Sequence, residues 1–342
     1  MKVLITGGAG FIGSTIASAC QDAGITPVLL DNLVTGRREF TSGRAFYEGD
    51  VADGELVDQI FDEHPDITAV IHCASLIVVP ESMADPLRYY SENVAKGISF
   101  FNHLHRNGCT RLLFSSSAAI FQADGTTLRV DETSPLDPGS PYAKTKAMLE
   151  TIISDIAAAK QLRVLSLRYF NPIGADPQLR TGLQIFRPTH ALGGIIEAHH
   201  SGEPFKITGT DFPTGDGTGI RDYVHVWDIA QAHVAALKRF DDVLDREDAD
   251  STVIILGSGH GTTVRELVGV FEKVTGTSLK TVEVPRRPGD PSGAYSDSAK
   301  AQQLLDWTPK LSLEDAVRDS LAWHAKRSDI LGAPDDQAQT AS

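Results

Sequence analysis

The amino-acid sequence predicts an α/β fold built on a doubly wound parallel sheet, with a smaller α/β domain interleaved towards the C-terminus. Three observations carry this prediction. Short, almost wholly apolar segments recur along the first half of the chain, helical patterns alternate with them, and a glycine-rich turn joins the first apolar segment to the first helical one. Strands that are apolar along their whole length are typical of parallel sheets covered on both faces. Their alternation with helices favours right-handed crossover connections.

In the first half of the chain, short predicted strands alternate with longer predicted helices. The sequence predicts strands at 3–6, 27–31, 69–73, 111–115 and 163–168. It predicts helices at 12–23, 54–63, 86–106 and 142–159.

The pattern changes from about Asp176, where glycine and proline become frequent and the elements shorten. A predicted helix at 227–239 and a predicted strand at 252–256 are expected to rejoin the first domain. We therefore predict a first domain over 1–175, rejoined by 225–260, and an interleaved second domain over 176–330. The small, polar tail 331–342 is predicted to be disordered.

Composition narrows the class of protein. The formal net charge of −14 over 342 residues argues against general binding to nucleic acid or to an anionic membrane surface. The three cysteines form neither a disulfide framework nor a zinc-binding spacing, so no metal site is expected. No apolar run approaches the roughly 20 residues of a membrane span, and a strand begins almost at Met1. The sequence predicts a cytoplasmic protein.

A glycine-rich loop follows the first predicted strand and opens the first predicted helix. Gly7, Gly10 and Gly13 suit three tasks: the first permits a tight turn, the second lets the backbone approach a pyrophosphate, and the third lets the helix pack against the strand. The N-terminus of that helix, at Phe11 and Ile12, offers free N–H groups to phosphate oxygens. Alone, the triplet is equally compatible with a turn that binds no ligand.

An acidic residue further along supports the dinucleotide interpretation. Asp31 ends the second strand 18 residues past Gly13, near the roughly 20 expected for a carboxylate that binds a ribose. A carboxylate there accepts from ribose hydroxyls and repels a 2′-phosphate, which favours NAD over NADP. The first domain is therefore predicted to be a Rossmann-type NAD-binding domain. Asp50 and Val51, after a third strand, are predicted to approach the adenine, although Asp50 could equally be a turn residue.

A serine, a tyrosine and a lysine form the predicted catalytic set. Tyr142 and Lys146 stand at i and i+4 on one predicted helix, so their side chains share a face. Ser117 lies at a strand end on the edge of the sheet that faces the cofactor. Lys146 and the positive nicotinamide ring are expected to lower the pKa of the Tyr142 phenol, so that it removes a hydroxyl proton while hydride leaves the same carbon. The alternative is a solvated Tyr/Lys helix face beside a serine-rich turn.

This set resembles the short-chain dehydrogenase/reductase superfamily in its extended form, and later motifs narrow the resemblance. RYFNPIGA at 168–175 is similar to the YFNxxGA of nucleotide-sugar epimerases. DFPTGDGTGIRDYVHV at 211–226 is similar to another of their segments, and LGSGHG at 256–261 and RRPGD at 286–290 complete the set. From Met1 to about Pro309, the chain resembles the UDP-glucose (UDP-galactose) 4-epimerase family.

The resemblance implies interconversion of UDP-glucose and UDP-galactose through a transient 4-keto sugar, with a tightly bound NAD that is recycled in each turnover. It implies that catalysis rests on Ser117, Tyr142 and Lys146. It implies cofactor binding by Gly7, Gly10, Phe11, Ile12, Gly13, Asp31, Asn32, Asp50, Val51, Ala74, Asn93, Tyr142, Lys146 and Tyr169. It implies UDP-sugar binding by Ser117, Tyr142, Asn171, His190, Leu192, Lys206, Thr208, Arg221, Arg287 and Asp290.

Three positions depart from the family pattern. Ile77 replaces a lysine, which removes one basic contact near the cofactor. Ala119 replaces a threonine, so that more of the hydrogen bonding falls on Ser117. His190 stands in a variant segment with a one-residue insertion, where it either reaches phosphate or caps a helix.

Ala294 bears on substrate specificity. It lies four residues past Asp290, where well-known bacterial relatives carry a tyrosine that limits room around the C2 substituent of the sugar. We hypothesise that alanine leaves space for an N-acetyl group, so that UDP-N-acetylhexosamines are also accepted, unless the adjacent Tyr295 refills the space.

Three other functions share parts of this sequence pattern. A nucleotide-sugar 4,6-dehydratase would carry an acid pair where this chain has Ala118 and Ala119. A 4-epimerase of UDP-pentoses or UDP-uronates is scarcely separated by these motifs. A non-catalytic NAD-sensing protein is disfavoured by the intact Ser117, Tyr142 and Lys146.

The sequence also suggests a homodimer. The predicted helices 86–106 and 142–159 carry apolar residues on more than one face, and relatives pair such helices between two subunits. The alternative is that both helices are simply buried within one subunit.

Overall fold

The computed structural model describes residues 1–122, 128–286 and 292–332. In chain order the strands are β1 (Lys2–Thr6), β2 (Thr26–Asp31), β3 (Ala45–Glu48), β4 (Ile67–His72), β5 (Arg111–Ser117), β6 (Arg129–Val130), β7 (Arg163–Tyr169), β8 (Asn171–Ile173), β9 (Phe205–Thr208), β10 (Ile220–His225), β11 (Ser251–Leu256), β12 (Gly261–Thr263), β13 (Thr281–Val284) and β14 (Tyr295–Ser296). The helices are α1 (Phe11–Asp22), α2 (Gly54–Glu63), α3 (Val79–Ala84), α4 (Pro86–Tyr89), α5 (Lys96–Arg106), α6 (Pro141–Ala158), α7 (Ala191–Ser201), α8 (Val226–Lys238), α9 (Phe240–Glu247), α10 (Val264–Thr275), α11 (Ala299–Leu305) and α12 (Leu313–Leu331).

A seven-stranded parallel sheet forms the centre of the molecule. Its strand order is β11-β7-β5-β4-β1-β2-β3, and every neighbouring pair runs parallel. The chain leaves β1 towards β2 on one side and later returns to place β4 on the other. Ligands of doubly wound sheets bind in the crevice beyond the carboxyl ends of the strands at such a reversal of direction. This topology confirms the predicted fold class.

Helices cover both faces of this sheet and create two apolar layers. One layer packs α1, α8, α9 and α11 against the sheet, with side chains such as Ile16, Ala232 and Leu304 fully or nearly buried. The other packs α2, α5 and α6, with Ile60, Phe100 and others excluded from water. Strands covered on both faces need apolar side chains in both directions, which explains their nearly continuous apolar sequences.

A smaller unit lies beyond the carboxyl ends of the large sheet. It contains a three-stranded sheet, β12-β10-β8, and a parallel pair, β13-β9. Its apolar core joins side chains of α7, α10 and α12, among them Ile195, Phe271 and Val317. Strand β11 belongs instead to the large sheet, where it pairs with β7 along its whole length.

One predicted helix is interrupted. The segment 86–106 was predicted as a single helix, but it consists of α4, a π-helical turn at Tyr90–Ala95 and then α5. The amide of Asn93 explains the wider turn, because it bonds both the N–H and the C=O of Leu76 at 2.8 and 3.0 Å and also donates to Thr145 Oγ1 at 3.0 Å. Such single π-turns are frequent at functional sites.

Among the described residues, no helix combines the length and apolar character needed to cross a membrane.

Candidate active site

The carboxyl ends of the parallel strands bring the predicted site residues to one edge of the sheet. The glycine loop follows β1, Asp31 ends β2, and Ala74 follows β4. Ser117 and Tyr169 end β5 and β7, and they are direct register partners across the two strands. Residues more than 160 positions apart in the sequence therefore meet along a single crevice.

The glycine loop has the geometry of a phosphate cradle. Gly7 has a φ of +66°, and a Cβ there would lie 2.8 Å from the backbone nitrogen of Ala74. A Cβ on Gly13 would lie 2.2 Å from the Gly7 carbonyl oxygen, whereas one on Gly10 would meet that oxygen only at 3.4 Å. Gly10 is the N-cap of α1 and provides no side-chain cap, so the amides of Phe11 and the residue after it suit an anion. The loop therefore fits a dinucleotide pyrophosphate.

Asp31 is held at the end of β2 by two backbone donors. Its Oδ2 accepts from the N–H of Ala9 at 2.9 Å and its Oδ1 from the N–H of Leu33 at 2.8 Å. Burial raises the pKa of this carboxyl, while the two backbone hydrogen bonds oppose that shift. Each carboxylate oxygen accepts more than one hydrogen bond, so the side chain keeps capacity for ribose hydroxyls.

The predicted adenine-side residues form a turn with an ion pair that the sequence did not reveal. Asp50 accepts from the N–H of Ala52 at 2.9 Å, as a turn residue does, and its Oδ2 contacts Lys96 Nζ at 2.7 Å. Asn32 approaches the same oxygen at 3.5 Å. Burial acts to raise the pKa of Asp50, but Lys96 lowers it overall. Val51, beside Asp50, packs against the apolar layer under α2 and α5.

The catalytic set assembles on α6 and β5. Tyr142 and Lys146 lie in the first turns of α6, which begins after the cap residue Ser140 and a proline at the first helical position. Ser117 lies near enough to the Tyr142 phenol to lower its pKa. Lys146 Nζ donates to the Ser115 carbonyl oxygen at 2.9 Å and lies 5.1 Å from the centroid of the Phe114 ring. Both α6 side chains are buried, so the tyrosine and lysine are not a solvated helix face.

The electrostatics of this set differ from the sequence-based expectation. Lys146 was expected to lower the pKa of Tyr142. Burial instead raises the pKa of that phenol, and Ser117 partly opposes the rise. Burial also lowers the pKa of Lys146 to about 8. Desolvation disfavours the charged form of both groups in a site this enclosed.

A second group of polar side chains lies behind the catalytic set. The Ser115 hydroxyl contacts Cys73 Sγ at 3.0 Å and lies near the Tyr169 phenol. Burial raises the pKa of the Cys73 thiol to about 11 and raises that of Tyr169 well above its usual range. Both groups are therefore neutral at physiological pH, and they shape the wall of the site next to Lys146.

The loop after β4 is fastened to the catalytic helix. The amide N–H of Ala74 faces Thr6 Oγ1 at 3.5 Å. Asn93, predicted as a cofactor ligand, donates both of its amide hydrogens to protein groups, the Leu76 carbonyl oxygen and Thr145 Oγ1. It ties this loop to Thr145, which lies between Tyr142 and Lys146 on α6. The neighbouring Ile77, which replaces the family lysine, is 56% exposed.

The substrate-side residues come from the smaller unit. Asn171 begins β8 immediately after Tyr169 and Phe170. His190 is the N-cap of α7, and its Nδ1 accepts from the Gly193 N–H at 3.2 Å. Burial lowers the pKa of His190 to about 4, so the ring is a neutral acceptor and the capping role, rather than a cationic phosphate contact, fits its geometry. Leu192 is 1% exposed in the first turn of α7.

The remaining predicted contacts lie on β9 and β10. Lys206 and Thr208 stand on β9, the lysine exposed and the threonine partly buried. Arg221, on β10, donates through Nη1 to the carbonyl oxygens of Ile220 at 2.8 Å and Ser292 at 3.2 Å. Arg287 and Asp290 lie outside the described residues.

Asp222, the residue after Arg221, has a structural role. Asp222 is fully buried, and its carboxylate accepts hydrogen bonds from Ser258 and Ser296 and from the N–H of Gly259. It thereby fastens the loop after β11 and strand β14 to β10.

Ala294 lies at the edge of an apolar cluster. It is 9% exposed and packs with Phe121, Phe170 and Ile255. Phe170 connects this cluster directly to Tyr169 and Asn171. The effect of Ala294 on the acceptance of N-acetylated sugars stays a prediction.

A cavity opens beside these elements. It is lined mainly by apolar side chains from β8, α7, α12 and the segment before α7. It includes three residues predicted from the sequence, Phe11, His190 and Leu192.

Comparison with known proteins places the chain in a family. Residues 3–250 match the model of the NAD dependent epimerase/dehydratase family. The UDP-glucose 4-epimerase of Azospirillum brasilense is 39% identical over 334 residues, 97% of this chain and 94% of its own length. That of Bacillus subtilis (strain 168) is 38% identical, over 95% of this chain and 97% of its own length.

Solved structures of UDP-glucose 4-epimerases are also similar to this chain. The UDP-glucose 4-epimerase of Stenotrophomonas maltophila, with bound NAD and formylated UDP-arabinopyranose, is 34% identical with a TM-score of 0.89 and covers 96% of this chain and 99% of its own. That of Bifidobacterium longum, in complex with NAD+ and UDP, is 31% identical with a TM-score of 0.87 and covers 97% and 100%. The chain belongs to the NAD dependent epimerase/dehydratase family and, within it, to the UDP-glucose 4-epimerases.

Proposed function

We propose that this protein interconverts UDP-glucose and UDP-galactose by epimerisation at C4, with NAD as a resident cofactor. The observation that carries the proposal is the meeting of Ser117, Tyr142 and Lys146 in a buried cluster beside the glycine loop of an NAD-binding sheet. The family membership and the curated relatives support the same activity.

The glycine loop and Asp31 fit the cofactor. The amides at Phe11 and Ile12 would hold the pyrophosphate, and Asp31 would accept from the adenosine ribose. Lys146 would bind the nicotinamide ribose as well as act on the tyrosine. When bound, NAD would supply the acceptor, and then the donor, of the hydride exchanged at C4.

Side chains of the protein transfer the proton and position the sugar hydroxyl. Tyr142 takes the proton from the sugar O4 and later gives it back, which requires the phenolate to be accessible near neutral pH. Ser117 donates to the same oxygen and shares it with the phenol. Lys146 contributes a fixed positive charge at close range in an enclosed site, where charge interactions are stronger than in water.

The smaller unit carries most of the residues assigned to substrate binding. Arg221 and Arg287 offer planar, permanent cations with paired donors to the diphosphate. Asp290 is assigned to the uridine ribose, and Lys206 and Thr208 to the edge beside the uracil. Asn171 and Leu192 are assigned to the sugar-nucleotide side. Binding energy placed on the non-reacting UDP leaves the hexose free to turn over between the two hydride transfers.

This division of labour agrees with the proposed domains. Residues 1–175 form the NAD-binding domain, rejoined by 225–260, and residues 176–330 form the interleaved UDP-sugar domain. We propose a homodimer in the cytoplasm. The dimer is supported by exposed apolar side chains on neighbouring helices, and the location by the three free cysteines.

The test is incubation of the purified protein with UDP-galactose without added NAD. Formation of UDP-glucose would support both the activity and the retained cofactor. Parallel incubations with UDP-GalNAc, a UDP-pentose and a UDP-uronate separate the substrate classes. Turnover of a pentose or uronate but not of UDP-galactose would replace the hexose assignment, and absence of any turnover by NAD-loaded protein would refute the proposal.

A further inference from the structure

We propose that the buried ion pair of Glu150 and Arg168 is a positioning element of the active site, which fixes the Ser117 strand end against the catalytic helix and keeps the Lys146 ammonium charged. The inference rests on the proposed function, because it concerns how that site is maintained.

The geometry joins three elements that each carry a site residue. Glu150 Oε1 accepts from Arg168 Nε at 2.9 Å and Oε2 from Arg168 Nη2 at 2.6 Å, a two-pronged contact between α6 and β7. The Ser116 hydroxyl, on β5, donates to the same carboxylate. Ser116 and Arg168 are register partners across the two strands, and the next pair along is Ser117 and Tyr169.

The pair is enclosed. The side chains of Arg168 and Glu150 are 6% and 9% exposed. The remaining nitrogen of the guanidinium, Nη1, is buried without a hydrogen-bond partner, and the group lies 5.2 Å from the centroid of the Phe121 ring. Buried ion pairs contribute little net stability compared with well-packed apolar side chains. Arg168 is the residue before Tyr169, and Ser116, which bonds the same carboxylate, is the residue before Ser117. An ion pair in this place calls for a reason other than stability.

Glu150 also acts on Lys146. The two residues stand at i and i+4 on α6, on the same helix face as Tyr142. The titratable groups that act on or face Lys146 are His72 and Cys73 at the end of β4, Tyr142, and Glu150.

Of these groups, Glu150 supplies the negative charge. Burial holds the pKa of His72 at about 3 and raises that of Cys73 to about 11, so both are neutral. The pKa of Tyr142 is raised as well. Burial lowers the pKa of Lys146 to about 8, and Cys73 and then the Glu150 carboxylate oppose that shift. Loss of the carboxylate therefore lets Lys146 lose its proton at a lower pH.

The test compares Glu150→Gln with Asp155→Asn, which removes an exposed carboxylate from the same helix. A double variant, Glu150→Met with Arg168→Met, removes both charges and keeps an apolar filling, so the fold does not depend on an unpaired buried charge. We measure the pH profile of kcat for the NAD-loaded enzyme with UDP-galactose. We also titrate Lys146 in protein carrying 13C-labelled lysine, with its signal assigned by Lys146→Met.

We expect Glu150→Gln to shift the alkaline limb of the pH profile downwards by roughly one pH unit. The double variant should shift it in the same direction but by less, because it also removes the positive charge of Arg168. The Lys146 titration should shift in the same direction, while Asp155→Asn leaves both unchanged. A purely structural pair predicts something else: the double variant would fold and show the wild-type profile and lysine titration. That result, or an unshifted titration in folded Glu150→Gln, overturns the proposal. If wild-type enzyme turns over no UDP-galactose, the proposed function fails, while the lysine titration still decides the role of Glu150.

Discussion

At the scale of single residues, the site depends on groups whose chemistry is set by burial. Tyr142 and Lys146 are both withdrawn from water, and both are disfavoured in their charged forms. The sequence predicted their identity and their shared helix face, because i, i+4 spacing is a local property. It could not predict the direction of the pKa shift in Tyr142, since desolvation depends on packing by residues that are distant in the sequence.

Replacement of the tyrosine tests its assignment as the base. Tyr142→Phe keeps the ring, so packing and stability should change little, while the group that takes the O4 proton is lost. We expect kcat to fall by roughly 10²- to 10⁴-fold, the usual contribution of a general base. The measurement is turnover of UDP-galactose, with thermal unfolding as the control for folding. A folded variant with wild-type kcat would exclude Tyr142 as the base.

Ala294 gives a test of specificity at the same scale. It sits against Phe121 and Phe170 beside the strand that leads to Asn171. Ala294→Tyr places a large ring where the hypothesis requires space for an N-acetyl group. We expect kcat/KM for UDP-GalNAc to fall more than kcat/KM for UDP-galactose. An unchanged ratio of the two values would remove Ala294 from the specificity determinants, and Tyr295→Ala then tests whether the adjacent ring fills the space.

At the scale of elements, local sequence patterns predicted the bounds of helices and strands closely. Helix α2 was predicted with the bounds that the structure shows, and the predicted strands of the large sheet differ from the observed ones by at most two residues at either end. The π-helical turn was missed because its cause is tertiary: Asn93 bonds Leu76 and Thr145, which lie on other segments. The pairing of Glu150 with Arg168 was missed for the same reason, since no spacing relates a residue of α6 to one of β7.

The glycine loop offers a test of an element rather than of a functional group. A Cβ on Gly13 would lie 2.2 Å from the Gly7 carbonyl oxygen, so Gly13→Ala must push α1 away from the loop. We expect the purified variant to retain much less NAD, measured by absorbance and by release on denaturation, and to be destabilised by about 1–3 kcal/mol.

A matched glycine controls for the change of residue itself. Gly269 lies in α10, and a Cβ there meets nothing within 4 Å. Gly269→Ala should retain wild-type NAD and gain about 0.4–1 kcal/mol of stability, because the unfolded chain loses freedom. Full NAD retention by Gly13→Ala would show that the tight loop–helix packing is not needed for cofactor binding.

At the scale of the whole molecule, the large sheet carries the residues proposed for the chemistry, and the smaller unit carries those proposed to bind the substrate. The large sheet presents Ser117 and Tyr169 at its carboxyl edge, and the smaller unit lies beyond that edge with Asn171, His190 and Arg221. The sequence predicted this arrangement from the loss of regular alternation after about Asp176. The interleaving itself follows from β11, which crosses back to pair with β7 after the chain has formed β8 to β10.

The outer surface of the α3 to α6 region bears on assembly. Large apolar side chains are exposed on neighbouring helices there, with Leu87 at 78%, Met83 at 61% and Met148 at 45%. These side chains lie on α3, α4 and α6, the region of the two helices whose sequences are apolar on more than one face. Contiguous exposed apolar surface on a protein marks a contact with another molecule. A second copy of the chain, paired through these helices about a two-fold axis, would bury the same patch on both subunits.

This argument predicts the effect of a charge placed in the patch. Leu87→Glu puts a carboxylate opposite its own copy across a two-fold interface, which adds repulsion and desolvation to the lost apolar contact. We expect sedimentation velocity to show a dimer for the wild type and a monomer for Leu87→Glu at the same concentration. Val282→Glu, a charge on a 43% exposed valine of β13, controls for the substitution and should leave the dimer intact. Since Ser117, Tyr142 and Lys146 come from one subunit, the monomeric variant should keep NAD and turnover. A wild-type monomer, or a dimer that survives Leu87→Glu, would place the interface elsewhere or remove it.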